Sequence, residues 1–170
     1  MSAVLLAPTA VLVSATLPDA NTTVLALATS VGVLAALVQF LGLIRWPFAV
    51  PHLARTVADP AASTATKEAV DVVFQTLNRY LGVAVGEHLG YLFTGAWTGL
   101  VGLAVIQSDV LHAAFGVSGL ILAPLFVISS FEFVGTFELR GWKLAGILVP
   151  ITYIAWSLWL MAIGIAFLVG

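Results

Sequence analysis

The chain contains no cysteine and few charged residues. Only 8% of its 170 residues are Asp, Glu, Lys or Arg, and the formal net charge is −2. Without cysteine there are no disulfides, no thiolate nucleophiles and no cysteine-based metal sites. Without clustered Lys and Arg the chain lacks the cations that bind a phosphate backbone, so the composition argues against nucleic acid as a partner.

Apolar residues, by contrast, are abundant. They make up 61% of the chain, and the mean hydropathy is +1.13. A soluble domain typically carries about 45–50% apolar and about 25% charged residues. Because so much apolar surface cannot be hidden from water in a chain of this length, lipid must be the solvent for most of it. We therefore predict an all-α, multi-pass transmembrane helical bundle that forms one domain over residues 1–170, with membrane lipid as its main partner.

Breaker and polar residues divide the apolar sequence into five membrane spans of the roughly 20 residues that a bilayer requires. Pro18-Asp19 ends the first span, Arg45-Trp46-Pro47 ends the second, and Ser108-Asp109 separates the third from the fourth. Asn21 and Ser63 are candidate N-caps for the helices that follow them. The predicted spans cover residues 3–17, 24–44, 81–106, 110–133 and 143–169.

The longest connection, residues 45–80, separates the second span from the third. Pro47, Pro51 and Pro60 are expected to break any continuous helix in its first part. Residues 67–80 show the 3.6-residue periodicity of an amphipathic helix, with polar residues on the remaining surface. The apolar face of this helix carries Val70, Val73, Phe74 and Leu77.

The basic residues predict the orientation of the bundle. With five spans, the second and fourth connections lie on the same side of the membrane, and all six basic residues are near them. The other two connections carry Asp19 and Asp109 and no basic residue. Cytoplasmic loops collect Lys and Arg, so we expect a plasma-membrane protein with its N-terminus inside and its C-terminus outside. The six basic residues are Arg45, Arg55, Lys67, Arg79, Arg140 and Lys143.

Small residues recur every four positions along the third predicted span. Such spacing forms a groove that lets another helix approach closely. The favoured interpretation is helix packing, either within the chain or with a second copy or another membrane protein. The residues are Gly82, Gly86, Gly90, Thr94 and Thr98.

Glu87 and His88 lie inside the same span, where an ionisable residue costs about 2.5–3.5 kcal/mol on insertion scales and normally faces protein or water. One interpretation is a ligand or proton site that also includes Tyr91, Arg79 and Glu132. The alternative is a structural or accessory protein in which ion pairs only hold the helices together. In that case Glu87 would pair with one of three arginines, Arg45, Arg79 or Arg140.

No sequence motif proposes catalysis. The chain has no glycine-rich phosphate loop, no Gly-x-Ser-x-Gly elbow and no His-Glu-x-x-His motif. His52, His88 and His112 are spread over both sides of the membrane, so no pair has metal-ligand spacing on one helix. We therefore predict no catalytic residues, no metal site and no cofactor, and we expect a protein that is not an enzyme.

Three stretches carry a resemblance to a known family: Leu41–Pro47, Arg79–Tyr91, and Glu132–Glu138 with the following Gly141–Gly146. They resemble a bacterial multi-pass membrane family known as domain of unknown function 4386, over roughly residues 31–168. The resemblance implies the cytoplasmic membrane of a bacterium and assigns no activity. Members of that family begin with more sequence, so it also implies a shortened N-terminus here.

Overall fold

Six α-helices joined by short turns make up the protein in a computed structural model that describes residues 2–169. No strand occurs within that range, which confirms the predicted all-α class. A π-helical segment, Asn78–Leu89 (the π segment below), joins α3 to α4 without a break, and a short 3₁₀ turn, Gly135–Phe137, precedes α6. The helices are α1 (Ser2–Ala15), α2 (Thr22–Ala58), α3 (Thr64–Leu77), α4 (Gly90–Ile106), α5 (Ala113–Ser130) and α6 (Lys143–Val169).

Four helical stretches are long and apolar enough to cross a bilayer, which confirms a multi-pass membrane bundle. They are Thr22–Ala58, Thr64–Ile106, Ala113–Ser130 and Lys143–Val169. The first predicted span corresponds to α1, whose 14 residues rise only about 21 Å, less than the thickness of a bilayer core of about 30 Å. The last predicted span agrees with α6 at both ends.

Both candidate N-caps act as caps. The Asn21 side chain accepts hydrogen bonds from the backbone N–H groups at the start of α2, and Ser63 Oγ accepts one from Thr66 at 3.1 Å. The fourth predicted span, 110–133, proves too long at both ends. His112 Nδ1 accepts from the Ala114 N–H at 3.2 Å and so starts α5 at residue 113.

The predicted helix break at Pro47 and Pro51 is wrong, because α2 continues through both prolines to Ala58. Proline fixes φ near −65°, which a helix accepts, and each proline removes only one donor from the helical hydrogen-bond ladder. Membrane helices tolerate that loss where other groups or water satisfy the freed carbonyls. The predicted connection 45–80 is therefore a helical hairpin, in which α3 packs along the end of α2.

Hydrogen bonds between connections define the two ends of the bundle. The Asn21 N–H donates to Gln107 Oε1 at 3.3 Å, which joins the first connection to the third. Arg79 bonds to Glu138 at the opposite end and joins the second connection to the fourth. That opposite end carries the basic residues and is called the basic end below.

The helices pack in a defined order between these ends. α2 packs against α1, α4 and the π segment, α4 packs closely against α5, and α6 packs on α5. Gly102 and Gly116 lie at the closest approach of α4 and α5, where a methyl group on Gly102 would lie 2.7 Å from the Gly116 carbonyl oxygen. The aromatic core at this level is formed by Trp97, Phe126, Trp156 and Trp159.

Candidate functional site

The face of the π segment that contacts α2 is formed by glycines. An ideal Cβ on Gly42 would lie 2.5 Å from Gly86 Cα, so the two backbones are in contact. The guanidinium of Arg45 lies on Gly82 in the same way, and the Gln39 side chain lies on Gly90. The small-residue face is therefore occupied by α2 of the same chain, in an antiparallel arrangement.

The threonines that continue this face are buried and fully bonded. Thr94 Oγ1 donates to the Gly90 carbonyl at 2.7 Å and accepts from Gln39 Nε2 at 2.9 Å. Thr98 Oγ1 donates to the Thr94 carbonyl at 2.7 Å and accepts from Trp156 Nε1 at 2.9 Å. Both side chains thus satisfy their hydrogen-bonding capacity within the protein and have a structural place in the core.

A cavity of about 230 Å³ lies between α2, the π segment and α6 at the basic end. Its floor is made by Gly82 and Gly86, where the absence of side chains leaves room. Leu43 and Val149 form apolar walls on α2 and α6. The polar residues that line it are Gln39, Arg45, Glu87, Tyr91 and Tyr153.

Arg45 brings a cation to this cavity and is held only by neutral groups. Its Nη1 donates to the Gly42 carbonyl, and its Nη2 donates to Asn78 Oδ1 at 3.2 Å. The guanidinium carbon lies 5.2 Å from the Trp46 ring centroid, a cation–π contact. Arg45 Nε is buried without a partner, and no carboxylate of residues 2–169 forms a salt bridge with this arginine.

The Glu87 side chain lines the same cavity, and its carboxylate forms neither a hydrogen bond nor an ion pair with any residue that the structure describes. The ion pairs expected between Glu87 and Arg45, Arg79 or Arg140 are absent from this part of the chain. Arg79 pairs instead with Glu138, Nη2 to Oε1 at 3.5 Å, where both side chains are exposed.

His88 and Glu132 lie on the other side of the π segment from the cavity. His88 Nδ1 is 2.8 Å from the Ser130 carbonyl oxygen, and the imidazole packs edge-on against Phe131 with centroids 5.7 Å apart. A small void of about 10 Å³ is lined by Glu87, His88, Tyr91 and Glu132, among others. Burial raises the pKa of the Glu132 carboxyl above its ordinary value. Of the five residues predicted for a ligand or proton site, four line this small void, and Arg79 lies at the surface. Glu87 and Tyr91 also line the larger cavity.

Sequence reasoning missed three residues of the cavity. Gln39 carried a signal, because it is the one polar side chain between Val31 and Ile44 in a membrane helix. The sequence places Arg45 at the end of the second span and as a possible ion-pair partner of Glu87, and it gives no role in a site to Tyr153. Tyr153 packs edge-on against Tyr91, with ring centroids 5.5 Å apart. This contact joins α6 to α4, and residue spacing in the sequence does not predict it.

The lining residues do not suggest a metal site. Among residues 2–169, no three His, Asp or Glu side chains lie close enough together to hold a metal ion. A protein-family model described as "Domain of unknown function (DUF4386)" matches residues 1–164 of the chain. No curated protein and no solved structure matches it.

Proposed function

Since the chain belongs to the family Domain of unknown function (DUF4386), whose description assigns no activity, we propose its function from the geometry of the site. The protein binds a small polar molecule within the membrane, in the cavity between α2, the π segment and α6. Arg45 and Glu87 supply the charges of this site, and Gln39, Tyr91 and Tyr153 supply neutral polar groups.

One observation carries this proposal: the polar groups that converge on the cavity do not satisfy one another. Arg45 has no carboxylate partner in the described chain, and the Glu87 carboxylate forms no ion pair or hydrogen bond there. An ionisable residue within a span costs about 2.5–3.5 kcal/mol on insertion scales and normally finds a partner. A bound polar molecule would supply the hydrogen-bond and ion-pair partners that no residue of the described chain provides.

The helix geometry supports the same reading. π-helical turns are rare, occur mostly as single turns and are frequent at functional sites, whereas here 12 consecutive residues are π-helical. Glu87 lies on this segment and Tyr91 lies two residues beyond it. The widened turns of the π segment form the floor of the polar cavity, which is consistent with a binding site within the helix bundle.

The competing function is structural, with the polar groups serving only to hold the helices. The bond from Arg45 to Asn78 favours it, because it fastens α2 to the π segment. It does not account for Glu87, which fastens nothing in residues 2–169. Glu87 is therefore the residue that separates the two functions.

We also propose that the basic end faces the cytoplasm of a bacterial cell, with the protein in the plasma membrane. The positive-inside tendency supports this, as does the bond between Arg79 and Glu138, which draws the two basic connections together. From Thr22 to Arg45, α2 rises roughly 35 Å, which puts the cavity near the cytoplasmic boundary of the bilayer.

The proposed function is tested by thermal stability of the purified protein in detergent, with the Glu87→Gln variant and Glu138→Gln as its matched control. The additives are acetate, glycine, inorganic phosphate, choline and glycerol, one for each chemical class. We expect at least one additive to raise the Tm of the wild type and of Glu138→Gln, because binding to the native state stabilises it. The same additive should leave Glu87→Gln unchanged.

The structural function predicts a different pattern. Glu87→Gln would then lower the Tm without any additive, and no additive would distinguish it from the wild type. That result would contradict the proposed binding function. Glu138→Gln controls for the loss of one negative charge anywhere on the protein, because Glu138 is exposed and lies outside the cavity.

A further inference from the structure

We infer that the molecule bound in this cavity is a zwitterion, with an acidic group that contacts Arg45 and an ammonium that contacts Glu87. This inference rests on the proposed binding function and names the class of ligand. It follows from the arrangement of two opposite charges that form no direct ion pair, the free polar atoms around each and the size of the cavity.

The Arg45 side of the cavity calls for an anion. A guanidinium has five N–H donors in a planar fork that matches a carboxylate or phosphate. Two bonds are formed, to the Gly42 carbonyl and to Asn78 Oδ1. The remaining donors include the buried Nε, which has no partner in the described residues. Both of these partners are neutral, so the guanidinium still lacks a directly bonded anion among the described residues.

The Glu87 side calls for a cation with hydrogen-bond donors. An ionised carboxylate only accepts hydrogen bonds, and an ammonium offers three donors. Gln39 adds an acceptor at this side, because its Nε2 donates to Thr94 and its Oε1 has no donor within residues 2–169. The rings of Tyr91 and Tyr153 also line the cavity, and aromatic faces attract ammonium groups.

A singly charged molecule fits this site poorly. An anion would satisfy Arg45 but would be repelled by Glu87, and a cation would meet the opposite problem. In either case one charge would stay desolvated and unpaired, which is strongly unfavourable. A zwitterion pairs with both charges at once. Because it carries no net charge itself, its binding leaves the net charge of the site unchanged, which is favourable in a low-dielectric environment.

The spacing and volume limit the size of the zwitterion. The Arg45 guanidinium lies on Gly82, and Glu87 follows five residues later along the π segment. At about 1.5 Å per residue the axial offset is at most roughly 7 Å. The cavity of about 230 Å³ accommodates a short amino acid or the headgroup of a zwitterionic lipid. Both sources present the same chemistry.

The test uses three probes with the same four-carbon chain: 4-aminobutyrate, butyrate and butylamine. Calorimetry on the wild-type protein in detergent should show that 4-aminobutyrate binds at least about tenfold more tightly than either singly charged probe. Glu87→Gln should reduce 4-aminobutyrate to the affinity of butyrate, and Arg45→Gln should reduce it to that of butylamine. Arg55→Gln, ten residues further along α2 and outside the cavity, should behave like the wild type.

A second arm identifies a lipid source. Native mass spectrometry of the protein purified from mixed vesicles of phosphatidylethanolamine and phosphatidylglycerol should then show retained phosphatidylethanolamine, and less of it in Glu87→Gln. Either arm supports the zwitterion. Equal affinity for butyrate, butylamine and 4-aminobutyrate, with no lipid preference, would overturn it.

The two proposals fail separately. Binding of butyrate alone, if lost in Arg45→Gln, or of butylamine alone, if lost in Glu87→Gln, would overturn the zwitterion and leave the binding function intact. Absence of binding by every probe in both arms would overturn the zwitterion. The additive screen and its Glu87→Gln comparison then decide the binding function independently. Glu87→Gln preserves the shape of the side chain, so it tests charge even if Arg45→Gln fails to fold.

Discussion

The two halves of the long helical stretch Thr64–Ile106 meet their neighbours in opposite ways. Its second half, α4, is closed against α5: glycine backbones touch, and the buried Thr98 hydroxyl has both its partners within the protein. Its first half includes the π segment, which touches α2 through Gly86 but leaves a cavity beside it, lined by charges without partners. The same small-residue spacing runs through both halves.

This difference shows that small residues can serve two purposes along one helix. In α4 the missing side chains are replaced by another backbone, which gives dense packing. In the π segment part of the space is left open, and the groups around it are polar. We attribute stability chiefly to the α4–α5 half and binding to the other half, and the predictions below test that division.

The largest expected effect is on the closed half. In Gly102→Ala the new methyl would lie 2.7 Å from the Gly116 carbonyl oxygen, a backbone atom that cannot move alone. Overpacking of this kind costs about 1–3 kcal/mol, which reversible denaturation in mixed micelles would measure. Gly164→Ala is the matched control, because no atom beyond its own helix lies within 4 Å of its added methyl.

The same substitution at the open half should behave differently. In Gly82→Ala the methyl would lie 2.6 Å from Arg45 Nη2, the far end of a flexible side chain. The guanidinium can shift, so we expect a stability loss well below that of Gly102→Ala, together with altered ligand binding. Equal destabilisation at the two glycines would break the proposed division between the halves.

The smallest effect concerns Glu132, which lies outside the membrane spans. Burial raises its pKa in the folded protein above the ordinary value of 4.5. The contribution of Glu132 to the stability of the folded state is therefore fully present below pH 4.5 and is lost as the pH rises through the folded pKa. Glu132→Gln removes this decline, so its Tm should match the wild type near pH 4 and exceed it slightly at pH 7. A Tm difference between the two proteins that does not vary with pH would contradict this cause.

Much of the fold could be predicted from local signals. Asn21 and Ser63 supply side-chain oxygens at helix starts, and α6 begins where the chain leaves Gly141, whose φ of +70° favours glycine. The prolines at 47 and 51 misled the prediction, because their effect depends on whether the surroundings satisfy the freed carbonyls. That is a property of the whole bundle and its boundary with water.

The candidate site was predicted only in part, for a related reason. An isolated carboxylate in a membrane helix pointed to Glu87, and its helical stripe pointed to Tyr91. The contribution of Arg45 depended on Gly82 leaving room for the guanidinium, and that of Tyr153 depended on α6 lying across the cavity. Both are contacts between distant parts of the chain, so neither helical periodicity nor residue spacing could reveal them.

The central claim is that a polar cavity opens between α2 and α6 beside Glu87, and the absence of native cysteine allows a direct measurement. Val149→Cys places a thiol on the cavity wall, and Ile154→Cys places one on the exposed apolar surface of the same helix. Their reaction rates with a water-soluble, positively charged methanethiosulfonate would be compared in protein reconstituted into lipid. The account predicts fast labelling at Val149→Cys and slow labelling at Ile154→Cys. Equally slow labelling at both positions would contradict it.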